Sequence, residues 1–501
     1  MMEKLLKKQL MESNYNMEKI IKDTNSVCLN TFAYNFGGKV KAIASKSHAH
    51  RLLIAAALSD SASKLIISET SNDIEATIGC LNSLGAKITR DADTIYIEPI
   101  SRSSGDASLN ISSAKTTYSI DPLNTESDQA GGCDDYFDSV SSNPIDNNKS
   151  LKKKIYQLDA GESGSTLRFM LPIVAALGKT CEITTHNRLT KRPLSPLYEE
   201  LLCHDMFLSR QKASPLFISG KLSSGIYKIP GNISSQYITG LLFALPLLDG
   251  ESKIHVTKGL SSRPYIDITL SVLTSYGIKI FEETIKKDEI LFTIPGNQTY
   301  KVSSPVTKVE GDWSNAAFFL TAGAISKEAV TVTGLSLDSH QGDKKILEIL
   351  KNFGADISIK TKADGLSDIT VSPRDLDKTF IDAKDIPDLI PILSVCAATA
   401  KGTTKIINYE RLRIKESDRV EAIKTMLSNF GIHVEEKDKA LYITGKSSFK
   451  EACNDSVNDH RMAMSSAIAS IRANGPVTIT DPYAITKSYP TFYEDFVSLL
   501  K

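Results

Sequence analysis

Residues 316–325 read Ala-Ala-Phe-Phe-Leu-Thr-Ala-Gly-Ala-Ile, an apolar stretch about three helical turns long with no charged face. A β-branched run, Ala-Val-Thr-Val-Thr, follows at 329–333. Next comes an amphipathic segment ending Leu-Lys-Asn-Phe-Gly354, and then two alternating runs. Gly354 suits the position just past a helix end, where the backbone turns left-handed. The unit is helix, strand, helix, strand, strand.

Five other apolar segments open the same series. They begin at Leu52 (LLIAAAL), Phe169 (FMLPIVAAL), Leu241 (LLFALPLL), Ile390 (IPILSVCAATA) and Ala463 (AMSSAIASI). Taken in chain order, the six starts are separated by 117, 72, 75, 74 and 73 residues. Glycines close the second helix again at Gly85, Gly277 and Gly431. A period this long, built of mixed elements, exceeds that of an ordinary solenoid. It predicts an α/β protein of six compact units, arranged as two domains of three. The one long step carries a stretch, 101–150, with twelve Ser, eight Asp or Glu and three Lys or Arg. Such a stretch has little to bury and reads as a mobile acidic surface loop. The N-terminal residues to about Leu29 read as a surface helix or a frayed tail.

The 501 residues carry 59 Lys+Arg against 59 Asp+Glu, so no net basic charge draws the chain to nucleic acid or to a membrane surface. Seven scattered cysteines without a CxxC pair argue against a disulfide scaffold or a zinc site. No apolar run approaches the roughly 20 residues that span a bilayer. The reading is a soluble, cytoplasmic protein without metal or cofactor, whose charge matters locally.

A polar cluster stands at the start of each apolar helix. The six are Ser45-Lys46-Ser47 through Arg51, Gly161 through Arg168, Gly231 through Gln236, Glu310-Gly311-Asp312, Asp385-Ile386-Pro387-Asp388 and Asn458-Asp459-His460-Arg461. Ser and Asp there are ordinary caps. Lys46, Arg51, Arg168 and Arg461 are not, because cations oppose the helix dipole at that end. A helix start that also carries Lys or Arg suits an anion. Further cations lie on the connecting loops: Arg188 and Arg192, Arg263, Lys415 and Arg419, and Lys487. The implied ligand is small and bears more than one anionic group. Asp388 and Glu416, set among these cations, are acid/base candidates. The plainer alternatives are an N-cap for Asp388 and a structural ion pair for Glu416.

These motifs together resemble the 5-enolpyruvylshikimate-3-phosphate synthase family. The resemblance covers about 35–100 and 155–501. It rests on Lys46-Ser47-x-x-x-Arg51, Asp159-Ala-Gly-Glu-Ser-Gly-Ser-Thr-Leu-Arg168, Ser234-Ser235-Gln236, Ile414-Lys415-Glu416-Ser-Asp-Arg419 and Asp459-His460-Arg461-Met-Ala. It implies an inside-out pair of α/β domains made of six βαβαββ copies. The domains would be 45–308, on the shikimate 3-phosphate side, and 1–44 with 309–501, on the phosphoenolpyruvate side. It also implies transfer of the enolpyruvyl group of phosphoenolpyruvate to the 5-hydroxyl of shikimate 3-phosphate. The product would lead toward chorismate and the aromatic amino acids.

Carried over residue by residue, the resemblance makes Lys46, Asp388 and Glu416 catalytic. Shikimate 3-phosphate would meet Lys46, Ser47, Arg51, Ser234, Ser235, Gln236, Ser262, Tyr265, Asp388 and Lys415. Phosphoenolpyruvate would meet Lys46, Gly164, Arg188, Gln236, Arg419, Arg461 and Lys487. Arg411 replaces an Asn that other members place on the shikimate ring, so no role is carried to it. The nearest rival is a UDP-N-acetylglucosamine enolpyruvyl transferase. That family uses a loop cysteine, and Cys80, Cys133, Cys181 and Cys203 sit in no comparable motif. A non-catalytic anion-binding module is the other alternative. Six units that close two domains without a partner suggest a monomer.

Overall fold

The computed structural model describes residues 20–22, 25–101 and 154–501. The predicted acidic loop, beyond Ser101, and the segment before Ile20 lie outside the described residues. The six apolar segments are helices: α1 (Lys46–Ala57), α2 (Gly164–Ala176), α3 (Ser235–Ala244), α4 (Trp313–Ile325), α5 (Ile390–Thr399) and α6 (His460–Ala469). Each is buried around nearly its whole circumference. In α4 only Ser314 escapes burial, and in α2 only Ser165. A helix apolar on every face must be enclosed on every side, so the sheets lie outside and the helices within. Each enclosed Leu or Phe contributes about 1.5–3 kcal/mol relative to an exposed one.

Six four-stranded sheets share one strand order. In the fourth unit Gly38–Lys41 runs parallel to Val330–Ser336, which pairs antiparallel with Leu366–Ser372, followed by Asp356–Thr361. The buried face of Val330–Ser336 carries Val330 and Val332 with the period two of a strand facing a core, and a register shift after Val332 brings Leu335 to the same face. The repeat is βαβαββ, as the resemblance implied.

Three sheets borrow strands from far along the chain, the fourth unit's Gly38–Lys41 being one case. Val306–Lys308 joins Ser63–Ile66 in the first unit. The sixth unit reaches its second helix, Phe492–Ser498, just before the chain stops at Lys501. Its last two strands come from the other end: Ser26–Leu29 pairs with Val477–Thr480, and Ile20–Lys22 pairs with Ser26–Leu29. The expectation of a helix or frayed tail up to Leu29 is therefore corrected for these residues. Val27 and Leu29, both buried, are what fix them to the core.

The buried apolar side chains form two clusters. One gathers residues 44–309 and the other residues 27–43 with 313–500; they are called the first and second lobes below. The two crossing segments lie side by side. Ala44 bridges Gly311, Ser45 N–H donates to Glu310 O at 2.8 Å, and Asp312 N–H donates to Ile43 O at 2.8 Å. A Cβ on Gly311 would lie 2.5 Å from Gly334 O, so only glycine allows this approach. Asp312 then serves both lobes: it accepts Asn315 N–H to cap α4 and Lys46 N–H, at 3.0 Å, at the start of α1.

Candidate active site

The starts of five inner helices converge on one cavity between the lobes. From the first lobe come Lys46, Ser47 and Arg51 of α1, Gly164, Ser165 and Arg168 of α2, and Ser234, Ser235 and Gln236 around the start of α3. From the second come Asp388, just before α5, and His460 and Arg461 of α6. Ser45, Ser163, Ser234, Asp312 and Asp459 supply ordinary caps to their helices. Asp388 does not: α5 has no side-chain cap, and the Asp388 carboxylate faces the cavity. The N-cap alternative for Asp388 is thereby excluded.

Arg419 is the hub of the second lobe's charges and is fully buried. Its Nε donates to Asp459 Oδ2 at 2.8 Å, Nη1 to Asp388 Oδ1 at 2.7 Å and Nη2 to Glu416 Oε2 at 2.7 Å. Asp388 also accepts the Tyr265 hydroxyl at 2.8 Å and lies 3.4 Å from Lys415 Nζ and 3.6 Å from Arg461 Nε. Burial opposes charge on Asp388, but Lys415, Arg461 and Arg419 outweigh it and hold the carboxyl well below its ordinary range. Glu416 behaves alike: burial is overcome by Arg419, Arg192, His460 and Lys415. Both are ionised at neutral pH. Burial pushes the Lys415 ammonium down to about 8, although Asp388 pulls the other way.

Among the described residues several buried nitrogens lining the cavity make no hydrogen bond: Nε of Arg168, Arg192, Arg411 and Arg461, and both ring nitrogens of His460, one of which can donate. Buried polar groups are rarely left so. Contributed by both lobes to one cavity and mostly cationic, they are arranged for an anion.

Of the residues singled out in the sequence, Lys46, Ser47, Arg51, Gly164, Ser234, Ser235, Gln236, Ser262, Tyr265, Asp388, Lys415, Glu416, Arg419 and Arg461 all line this cavity. Two do not. Arg188 lies in the 3₁₀ turn Asn187–Lys191, lines an adjoining opening, and donates to Arg413 O at 3.4 Å. Arg192, in the extended residue that follows the turn, reaches the cavity instead. Lys487 is held one layer back, with Nζ donating to Glu162 Oε2 at 3.0 Å and to Asn458 Oδ1 at 2.6 Å. Asp73, 2.8 Å from Lys46 Nζ, was not foreseen. In sequence it is one of two acids in the first turn of a helix, Asn72–Ser83, and looks like a dipole partner. His460, between Asp459 and Arg461, also lines the cavity.

None of the cysteines among the described residues lines the cavity. Burial pushes Cys80 and Cys181 up to about 12, the reverse of what a thiolate nucleophile requires. The described residues hold no group of three His, Cys, Asp or Glu arranged for a metal ion, and no helix long and apolar enough to cross a membrane.

Fold and cavity together define an enolpyruvyl transferase architecture. The solved structure of the enolpyruvyl transferase NikO from Streptomyces tendae matches 95% of this chain and 98% of its own with TM-score 0.67 at 14% identity. That of EPSP synthase from Acinetobacter baumannii gives TM-score 0.71 at 22% identity, with the same coverage. A family model described as EPSP synthase (3-phosphoshikimate 1-carboxyvinyltransferase) matches residues 33–118 and 137–496. The 3-phosphoshikimate 1-carboxyvinyltransferase of Clostridium kluyveri is 38% identical over 463 residues, 92% of this chain and 95% of that protein. The chain belongs to the EPSP synthase family.

Proposed function

We propose that the chain is a 3-phosphoshikimate 1-carboxyvinyltransferase: it moves the 1-carboxyvinyl group of phosphoenolpyruvate to the 5-hydroxyl of shikimate 3-phosphate and releases phosphate. The observation that carries the reading is the ionised Asp388, placed among unpartnered cationic donors in a cavity between two lobes of this family's fold. The hydroxyl oxygen forms a bond to C2 of phosphoenolpyruvate while its proton passes to Asp388 and C3 gains a proton. The tetrahedral adduct then breaks its C2–O bond to phosphate, and C3 gives a proton back. Glu416 and Lys46 manage the protons at C3 and on the leaving phosphate. Arginines already fixed by their partners stabilise the charge that develops.

On this reading Ser47, Arg51, Ser234, Ser235, Ser262, Tyr265 and Lys415 hold shikimate 3-phosphate. Gly164, Gln236, Arg419 and Arg461 border phosphoenolpyruvate. Arg168 and Arg192 take the part first given to Arg188, and Lys487 positions Glu162 and Asn458 rather than touching substrate. Residues 45–308 and 1–44 with 309–501 act as two domains whose approach excludes water. The two closed cores support a monomer, and the biosynthetic role supports a cytoplasmic location. The reaction is tested by running it in D2O. Deuterium in the vinyl group of the product is expected, because C3 passes through a methyl; product without deuterium would reject addition followed by elimination.

Two further outcomes follow. A Cβ at Gly164 would lie 2.6 Å from Arg168 Nη1 and 2.7 Å from Arg192 Nη1. Both contacts are the far ends of flexible side chains, so Gly164→Ala folds but displaces the guanidinium groups. Its KM for phosphoenolpyruvate is expected to rise by about 10–100-fold with little change for shikimate 3-phosphate; steady-state kinetics read both. Lys415 is half-deprotonated near pH 8 in the free protein. A bound dianion raises that pKa, so shikimate 3-phosphate should bind with net proton uptake near pH 8 and little near about pH 6. Calorimetry in Tris and Hepes, which differ in ionisation enthalpy, measures it. Proton release near pH 8 would contradict the assignment.

A further inference from the structure

We propose that Arg411 is a direct ligand of the acceptor's phosphate, and that it makes the site prefer a phosphorylated ring acid over the same acid without phosphate. The inference rests on the acceptor reading above. The motif resemblance gave Arg411 no role.

Arg411 lies in the 3₁₀ turn Glu410–Ile414 of the second lobe, and its side chain crosses to the first. There Nη1 donates to Ser262 Oγ at 2.7 Å. Ser262 stands at the start of the helix Arg263–Ser275 with φ of 59°, and its hydroxyl caps nothing in that helix. Its own N–H donates to Asp385 Oδ1 at 2.9 Å. The buried Nε of Arg411 has no partner.

The other cations of the cavity are each held by protein groups, although Arg168, Arg192 and Arg461 also keep an Nε without a hydrogen bond. Arg168 donates to Gln236 Oε1 and Pro193 O, and Arg192 lies 3.9 Å from Glu416. Arg51 donates to Thr269 Oγ1, Ser47 O and Tyr265 O. Lys46 pairs with Asp73, Lys415 and Arg461 pair with Asp388, and Arg419 holds three carboxylates. Among the described residues Arg411 forms no ion pair, as is true of Arg51 and Arg168, but its hydrogen-bond partner is the Ser262 hydroxyl across the cavity. Asp385, Asp388 and Tyr265 face it and partly offset the cost of burying its charge.

Ser234 and Ser235, at the start of α3, line the same cavity as Ser262 and Arg411. Three hydroxyls, a helix start and a guanidinium without a carboxylate form the donor set that binds phosphate. A neutral ring hydroxyl would leave most of those donors unused. Because the serines belong to one lobe and Arg411 to the other, the phosphate also ties the lobes together.

The test is calorimetric titration of shikimate 3-phosphate and of shikimate into the wild-type protein, Arg411→Ala and Arg411→Lys, with thermal melting to confirm that each variant folds. Arg411→Ala is expected to weaken shikimate 3-phosphate by about 10–100-fold while changing shikimate less than about twofold. Arg411→Lys should recover part of the loss, since it restores charge but not the planar fork. Equal losses for both ligands would place Arg411 on the ring and overturn the proposal, as would no loss for either. Failure of the wild-type protein to bind either ligand would instead overturn the acceptor reading on which the proposal stands.

Discussion

Asp388→Asn is expected to lower kcat by about 10²–10⁴-fold, the range lost when a positioned acid/base group is removed. The exchange keeps the shape of the side chain and removes its charge and its ability to take a proton. Asp388 is the carboxylate on which Arg419, Lys415, Arg461 and the Tyr265 hydroxyl converge. Its three cations keep it ionised, which is the state a base needs before it accepts a proton. They also limit its strength, so the hydroxyl proton must move as the bond to C2 forms rather than beforehand. Glu416→Gln should lower kcat comparably, because Glu416 shares Arg419 and faces the same cavity. Loss in kcat without a matching rise in KM would mark groups that act in the transition state. Near-normal turnover in both variants would overturn the assignment of either carboxylate to proton transfer.

Arg419→Met is expected to reduce the unfolding free energy of the second lobe by about 3–5 kcal/mol, as when one partner of a buried ion pair is removed. Met fills similar volume, so packing is largely kept and charge is what changes. Asp459, wholly buried, would lose its cation and keep only Ser417 Oγ and the N–H of Arg461. Asp388 and Glu416 would keep other cations, so the loss falls hardest on Asp459. Burial itself acts against the Arg419 charge, yet Asp459, Glu416 and Asp388 raise its pKa well above the ordinary value. Arg419→Lys should fall between, because a point charge cannot span three carboxylates. Urea unfolding followed by Trp313 fluorescence reports this lobe, since the chain has one tryptophan and it is buried there. A change below about 1 kcal/mol, the scale of an exposed pair, would mean that the cluster adds nothing to stability.

What could be read in the sequence was what repeats. Six apolar segments at near-equal spacing disclose six units, because a helix apolar on every face has one place to go. Cations at helix starts disclose an anion site, because they contradict the dipole there. What could not be read depends on where the chain goes in space. Ile20–Lys22 and Ser26–Leu29 are too short to signal strands until the sixth sheet is seen to need them. Arg188 and Arg192 share one loop and one chemistry, and only the path out of the turn decides which reaches the cavity. Lys487 stands at a cation-bearing end of the repeat like the others, yet Glu162 and Asn458 capture it before it arrives. Asp73 has the sequence context of a dipole partner and the position of a site residue.

Phosphate release with phosphoenolpyruvate and one of two acceptors tests the proposed activity most directly. Release is expected with shikimate 3-phosphate and not with UDP-N-acetylglucosamine; release only with the sugar nucleotide, or with neither, would contradict it.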